Sequence, residues 1–232
     1  MALIKENLVR IREKVFETCM KTGRNPEEVK LVAVTKTLPP EVIEEAHNYG
    51  IDIVGENKVQ EMVDKLEYLK NLSLEWHFIG HLQTNKVKYL VDRVELIHSV
   101  DRLKLAKEIN QEWAKKDKQI NVLIQANISG EASKFGINEE ETMSLVKDIS
   151  GLCNINITGL MTMAPYTETP EEVRHVFSGL RLLAERIRQE NIPGVKMQEL
   201  SMGMTNDYEV AVEEGATLIR IGSGIFGERH YR

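Results

Sequence analysis

The sequence predicts a single (β/α)8 barrel of the TIM type, preceded by one extra helix at the N-terminus. Short apolar segments rich in β-branched residues alternate with amphipathic helical segments along the chain. Eight such apolar segments fit into 232 residues, and most of them end in polar residues. Strict alternation implies parallel strands with right-handed crossovers. Eight units favour a closed barrel over an open doubly wound sheet, which stays the alternative. We expect one domain over residues 1–232.

The first twenty residues predict an amphipathic helix that ends near Gly23. Its apolar positions recur every three or four residues, at Ile4, Leu8, Ile11, Val15 and Cys19. We therefore interpret Cys19 as a core residue rather than a reactive thiol, and expect the helix to cover part of the barrel wall.

Eight strands follow, each a short apolar run bounded by proline, glycine or polar residues. They are predicted over 31–36, 51–54, 74–79, 94–98, 121–128, 157–163, 198–202 and 217–221. Helices begin with signals such as Pro40 and Asp101 and stop at Gly50 and Gly215. They are predicted over 40–48, 57–70, 83–91, 101–113, 138–149, 173–187 and 207–214.

Composition excludes several functional classes. The net charge of −6 argues against a general binder of nucleic acid or anionic membranes, which would present a basic surface. No segment has the roughly 18 apolar residues of a membrane span, and the N-terminus lacks the apolar block of a signal peptide. Two cysteines outside any metal-binding spacing suit a reducing cytoplasm. His77 and His81 would lie about 13 Å apart along a strand, so we expect no metal site.

Lys36 is the most informative single residue. It ends the first strand, in phase with Val32 and Val34, at the end of the barrel where active sites of this fold lie. Burial there would lower its pKa and leave a nucleophilic amine suited to forming an imine. The structural alternatives are a lysine that extends to the barrel rim or one that pairs with a carboxylate such as Glu56.

Two glycine-containing turns follow the seventh and eighth strands, where barrels often bind phosphate. The first spans 201–207 and leads into a helix, whose free N–H groups favour anions. The second spans 220–227 and matches GxGxxG, although no long helix and distant acidic residue follow to support dinucleotide binding. Arg220 lies on the last strand. The Arg220 side chain could either contact a ligand or form a structural salt bridge with Glu199 or Asp207.

Six segments resemble the pyridoxal phosphate homeostasis protein family over about residues 30–228. They are VTKT (34–37), GENKVQE (55–61), HFIGHLQTNK (77–86), GLMTM (159–163), LSMGM (200–204) and RIGSGIFG (220–227). The family is similar in fold to the N-terminal barrel domain of alanine racemase. Thr205 stands where the family more often has serine, and because both carry a hydroxyl we expect the helix-cap or phosphate contact to survive.

The resemblance implies roles for six residues in binding pyridoxal 5′-phosphate (PLP), the vitamin B6 cofactor. Lys36 would carry the cofactor as a covalent imine, and Asn57 would lie near the ring. Ser201, Gly222 and Ser223 would hold the phosphate. Arg220 would donate to the pyridine nitrogen, which makes the ring a weaker electron sink than one held by aspartate.

The implied function is binding, buffering or delivery of PLP in the cytoplasm, without established catalytic turnover. The expected partners are PLP itself and apo-enzymes that receive it, and the chain is expected to be a monomer or weak dimer. One alternative is a racemase-like PLP enzyme in which Tyr166 supplies a second acid or base. Another is a Schiff-base aldolase acting on a phosphorylated sugar. Whether the loop over 129–136, with Lys134, covers the ligand stays open.

Overall fold

The computed structural model describes residues 2–131 and 136–227, and it confirms the closed barrel. Eight parallel strands pair in sequence order, and β8 closes the ring by pairing with β1. The strands are β1 (Lys30–Val34), β2 (Ile53–Glu56), β3 (Glu75–Phe78), β4 (Leu96–Val100), β5 (Ile120–Gln125), β6 (Ile155–Met161), β7 (Val195–Ser201) and β8 (Leu218–Ile221).

Helices occupy the outside of the ring. They are α1 (Ala2–Thr22), α2 (Pro40–Asn48), α3 (Val59–Tyr68), α4 (Leu103–Ala114), α5 (Glu139–Ser150), α6 (Arg174–Gln189), α7 (Tyr208–Glu213) and α8 (Ser223–Phe226). None of these described helices has the length and apolar character needed to cross a bilayer. Residues 132–135, including Lys134 of the loop left open above, lie outside the described residues.

Two helical predictions need correction. The segment predicted as a helix over 83–91 is a short 3-10 helix, Thr84–Tyr89, because apolar periodicity over so few residues does not distinguish a 3-10 helix from an α-helix. The helix predicted over 173–187 begins as a 3-10 turn, Pro170–Val173, before α6. Strand boundaries differ by up to three residues, as at β5, which ends at Gln125.

The extra N-terminal helix is present and packs against α7 and α8. Its predicted apolar stripe is buried, including Cys19. Asn7 adds a polar contact, because its side-chain amide donates to the carbonyl of Ile225 at 2.9 Å. The helix therefore covers the wall of the barrel next to the turn that follows β8.

The barrel interior alternates apolar and polar levels. A central apolar level consists of Val32, Leu96, Leu123, Met161 and Leu218. Inward-facing polar residues lie on both sides of it. Gly159 allows the close approach of β6 and β7, because a Cβ atom there would lie 1.8 Å from the carbonyl oxygen of Glu199. The resulting ring places the carboxyl ends of all strands around one opening, as expected for this fold.

Candidate functional site

A cavity of about 460 Å³ opens at the carboxyl ends of β1 and β8. Four of the predicted site residues, Lys36, Arg220, Gly222 and Ser223, line it. The turn after β7 and the loop after β6 contribute the remaining polar wall, while Val34 lies below Lys36. The other lining residues are Tyr166, Thr167, Met204, Thr205, Asn206 and Asp207. The volume lies within the range of small-molecule sites.

Lys36 lies in the turn that follows β1 and is partly buried. Its side chain forms no hydrogen bond or ion pair with any other residue that the structure describes. The next residue, Thr37, has a positive φ of 64°, which turns the chain sharply away from the strand. Lys36 therefore lines the cavity with an amine that has no partner among the described residues.

A buried charge cluster anchors the turn that carries Lys36. The Nζ of Lys65, on α3, donates to the carbonyl of Thr35 at 2.8 Å and to Glu56 Oε1 at 2.6 Å. It also donates to Glu61 Oε1 at 2.8 Å, and the same oxygen accepts from the amide of Thr37. Lys65, and not Lys36, is thus the ion partner of Glu56. Burial raises the pKa of the Glu56 carboxyl.

The turns after β7 and β8 are joined through the hydroxyl of Thr205. This oxygen accepts from the amide of Gly224 at 3.1 Å and lies 3.2 Å from the hydroxyl of Ser223. Gly203 has a φ of 90°, which the turn after β7 requires. The Thr205 hydroxyl therefore joins the two loops and does not cap α7, and its contact with a phosphate stays a prediction.

Four backbone amides around this junction donate to no acceptor in the described part of the chain. They belong to residues that line the cavity, namely Thr205, Asn206, Gly222 and Ser223. Asp207 satisfies the neighbouring amide of Met204 at 2.6 Å. Free N–H groups from two loops form a concavity suited to an anionic oxygen group.

Arg220 forms the floor of the cavity and is almost fully buried. Its Nη1 donates to Ser201 Oγ at 2.5 Å and its Nη2 donates to the carbonyl of Thr162 at 2.9 Å. Arg220 forms a salt bridge with neither predicted partner among the described residues, because Glu199 pairs with Lys30 at 2.9 Å and Asp207 Oδ1 accepts from the amide of Met204. Burial lowers the pKa of Arg220 to about 10, so it stays cationic at neutral pH.

Two predicted site residues lie outside the cavity wall. Ser201 is fully buried beneath it, and its hydroxyl contacts Arg220 and His98 Nδ1, the latter at 2.9 Å. Asn57 follows β2, and its Oδ1 is buried without a hydrogen-bond partner among the described atoms. Its backbone packs so closely on Gly80 that a Cβ there would lie 2.2 Å from the Asn57 carbonyl. The contacts of Ser201 and Asn57 with a ligand stay predictions.

Sequence reasoning assigned no contact with a ligand or with a site residue to Thr162, Asn206 or Lys65. Thr162 acts through its backbone, which leaves no side-chain signal. Asn206 and Asp207 were interpreted as parts of a helix start, and the structure adds that both line the cavity. Lys65 occupies a helix position at which lysine is usually solvated, so only the tertiary structure identifies its burial.

Comparison with known proteins identifies the family. The family model described as "Alanine racemase, N-terminal domain" matches residues 4–230. A relative named pyridoxal phosphate homeostasis protein, from Aquifex aeolicus (strain VF5), is 48% identical over 97% of this chain and 98% of its own length. The chain belongs to the pyridoxal phosphate homeostasis protein family. The relative of the same name from Escherichia coli (strain K12) is 38% identical over 98% of this chain and 97% of its own length.

Solved structures agree with this family and with the fold. PipY of Synechococcus elongatus PCC7942, a structure with PLP bound, has a TM-score of 0.84 and 33% identity, covering 97% of this chain and 100% of that one. Alanine racemase of Clostridium difficile 630 has a TM-score of 0.77 at 13% identity, covering 99% of this chain and 57% of that one. The second likeness shows the barrel fold alone.

Proposed function

We propose that this chain binds PLP in the cavity at the carboxyl end of the barrel and acts in PLP homeostasis by holding and releasing the cofactor. One observation carries the proposal. One cavity combines a buried guanidinium from Arg220 with a primary amine from Lys36 and amides from the turns after β7 and β8, and neither the amine nor these amides have a partner among the described residues. The PLP in the related PipY structure supports the same ligand class.

The residues present fit the chemical groups of PLP. The aldehyde requires an amine, the pyridine nitrogen a hydrogen-bond donor, and the phosphate several N–H donors. Lys36, Arg220 and the amides of Gly222 and Ser223 supply these in turn, and all four residues line one cavity. The side chains of Val34 and Met204 add apolar surface for the ring. We propose Ser201 and Asn57 as further contributors from beneath and beside this wall.

Lys36 supplies the covalent attachment in this proposal. Its neutral amine adds to the aldehyde carbon, a C=N bond forms, and one water molecule leaves. Hydrolysis of the same bond returns the free amine and the aldehyde. When bound, PLP could supply an electron sink, and Arg220 keeps that sink weak because a guanidinium donates to the pyridine nitrogen without protonating it.

The site favours binding and exchange over turnover. Tyr166, which forms part of the cavity wall, is 76% exposed, so the mouth of the cavity is open to water. Carbanion chemistry benefits from a site that excludes water, whereas cofactor exchange requires access. The name shared by the curated relatives, pyridoxal phosphate homeostasis protein, supports the same role. We propose a cytoplasmic carrier, with apo-enzymes as acceptors of the cofactor.

A racemase-like activity is the second candidate, because Tyr166 lines the same cavity as Lys36. Its hydroxyl could act as a second acid or base opposite the amine. Incubating the PLP-loaded protein with single enantiomers of a panel of amino acids would measure this directly. Racemisation that disappears in Tyr166→Phe would establish turnover, and its absence from the intact protein supports the carrier role.

The test of the carrier role has two steps. The cofactor-free protein is titrated with PLP while the visible absorption is recorded, and the loaded protein is then mixed with an apo-PLP enzyme whose activity reports transfer. We expect an absorption band at a wavelength distinct from that of free PLP, and transfer at a rate above that from free PLP released into solution. Lys36→Ala should abolish the band, while Lys58→Ala, which changes an exposed lysine near the same opening, should preserve it. A spectrum that stays that of free PLP throughout the titration would contradict the proposal.

A further inference from the structure

Five polar side chains form a continuous series of hydrogen bonds through the barrel interior. Arg220 Nη1 donates to Ser201 Oγ at 2.5 Å, and Ser201 Oγ lies 2.9 Å from His98 Nδ1. His98 Nε2 lies 3.0 Å from His77 Nδ1, and His77 Nε2 lies 2.8 Å from Glu75 Oε1. Four of the five side chains are buried, and only Glu75 reaches solvent. We name this series the interior chain.

The interior chain connects the two ends of the barrel. Arg220 lines the upper cavity with Lys36, whereas Glu75 and His77 line a separate lower cavity of about 290 Å³ with Lys30. Lys30 begins β1 and Val34, which lines the upper cavity, ends it, so the strand alone separates the two levels by about 13 Å. The interior chain therefore joins the upper cavity to residues of the lower cavity, which lie outside the proposed ligand site.

The groups at the two ends of the interior chain determine which atoms donate and which accept along it. Arg220 can only donate, so Ser201 accepts from it. At the other end, the hydrogen bond from His77 lowers the pKa of Glu75, so this carboxylate accepts. Burial and the nearby His77 and Arg220 keep the pKa of His98 well below its usual value, so its ring is neutral.

With one N–H on each imidazole, only one arrangement satisfies every bond. Ser201 donates to His98 Nδ1, His98 donates through Nε2–H to His77 Nδ1, and His77 donates through Nε2–H to Glu75. Glu75 fixes the tautomer of His77, which fixes the tautomer of His98. The tautomer of His98 in turn leaves Ser201 with both lone pairs directed away from the ring and available to Arg220.

We propose that Ser201, His98, His77 and Glu75 are positioning residues that hold the Arg220 guanidinium in register with the cofactor. This inference rests on the proposed function. Without Glu75 the series can reverse, because His77 Nδ1–H can then donate to His98 Nε2 and His98 Nδ1–H to Ser201. Ser201 would accept from both His98 and Arg220, and the two donors would compete for its oxygen.

Three variants at the lower end test the inference without touching the cofactor site. Glu75→Leu removes the acceptor, and Glu75→Gln restores one through its amide oxygen. Glu95→Leu is the matched control, because Glu95 is a second glutamate in the wall of the lower cavity and its side chain has no hydrogen bond to another described residue. The readouts are the tautomers of His77 and His98, from the ¹⁵N shifts of the imidazoles in cofactor-free protein, and the rate of PLP release.

We expect both rings to be Nε2–H in the intact protein and in Glu75→Gln. In Glu75→Leu, the Nδ1–H form of His98 should become populated, and PLP release should accelerate about five-fold, the effect of weakening one hydrogen bond. Glu95→Leu should change neither readout. An Nδ1–H His98 in the intact protein, or an unchanged release rate in Glu75→Leu, would overturn the inference. A protein that takes up no PLP at all would refute the proposed function. The tautomers of His77 and His98 would still test the direction of the hydrogen bonds in the interior chain.

Discussion

Removing the Lys65 ammonium should destabilise the protein more than any surface lysine substitution. Lys65→Met deletes three hydrogen bonds, to the Thr35 carbonyl and to the carboxylates of Glu56 and Glu61. Glu56 would then be a buried carboxylate whose one remaining hydrogen-bond donor is the Thr35 hydroxyl. Breaking a buried ion pair from one side costs about 3–5 kcal/mol, so we expect that loss in the free energy of unfolding at pH 7.

The stability loss in Lys65→Met should depend on pH in one direction. Burial already raises the pKa of Glu56 above its ordinary value of 4.5, and loss of Lys65 raises it further. A carboxyl whose pKa is raised in the folded state favours folding fully when the pH is below its ordinary pKa. This contribution to the free energy of unfolding is lost as the pH rises through the folded-state pKa. The penalty in Lys65→Met should therefore shrink as the pH is lowered from 7 toward 5.

Urea unfolding monitored by circular dichroism measures both effects. Lys58→Met, at an exposed position just before α3, is the matched control and should stay within about 0.5 kcal/mol of the parent. Adding Glu56→Gln to Lys65→Met should recover about 2 kcal/mol, because the buried charge is gone. A loss below about 1 kcal/mol for Lys65→Met, or a loss that grows on acidification, would refute the reasoning.

Three further predictions follow from the contacts. Gly159→Ala should lower the free energy of unfolding by about 3 kcal/mol in urea titrations, because its Cβ would collide with the neighbouring strand, whereas Gly151→Ala has open space and should be nearly neutral. Arg220→Met should weaken PLP binding at least ten-fold in an absorption titration, since a charged hydrogen-bond donor is lost, and unchanged affinity would contradict its role. Thr205→Val should weaken PLP binding about five-fold because the Gly224 amide loses its acceptor, and Thr205→Ser should restore it.

The fold could be predicted because its signal is local and repeated. Each strand is an apolar run, and the intervening helices carry stripes such as that of α1, which is buried as expected. The 3-10 helix Thr84–Tyr89 was predicted as a full helix because periodicity alone does not distinguish the two at this length. Strand boundaries shifted because pairing with neighbours, and not composition, decides where a strand ends.

The position of the site could also be predicted, since parallel strands bring their carboxyl ends to one opening. This rule placed Lys36, Arg220 and the turn at Gly222 together, and the cavity contains all three. The contacts across the barrel could not be predicted. The meeting of His77 and His98, with ring centroids 5.0 Å apart, depends on the stagger of the strands around the ring, which no segment of sequence encodes by itself.

The central claim is that the amine of Lys36 carries PLP, and mapping the attachment site tests it most directly. The PLP-loaded protein is reduced with borohydride, digested, and analysed by mass spectrometry for the pyridoxyl-phosphate adduct. The adduct should lie on Lys36, at one label per chain. A label found at another lysine, with Lys36 unmodified, would contradict the account.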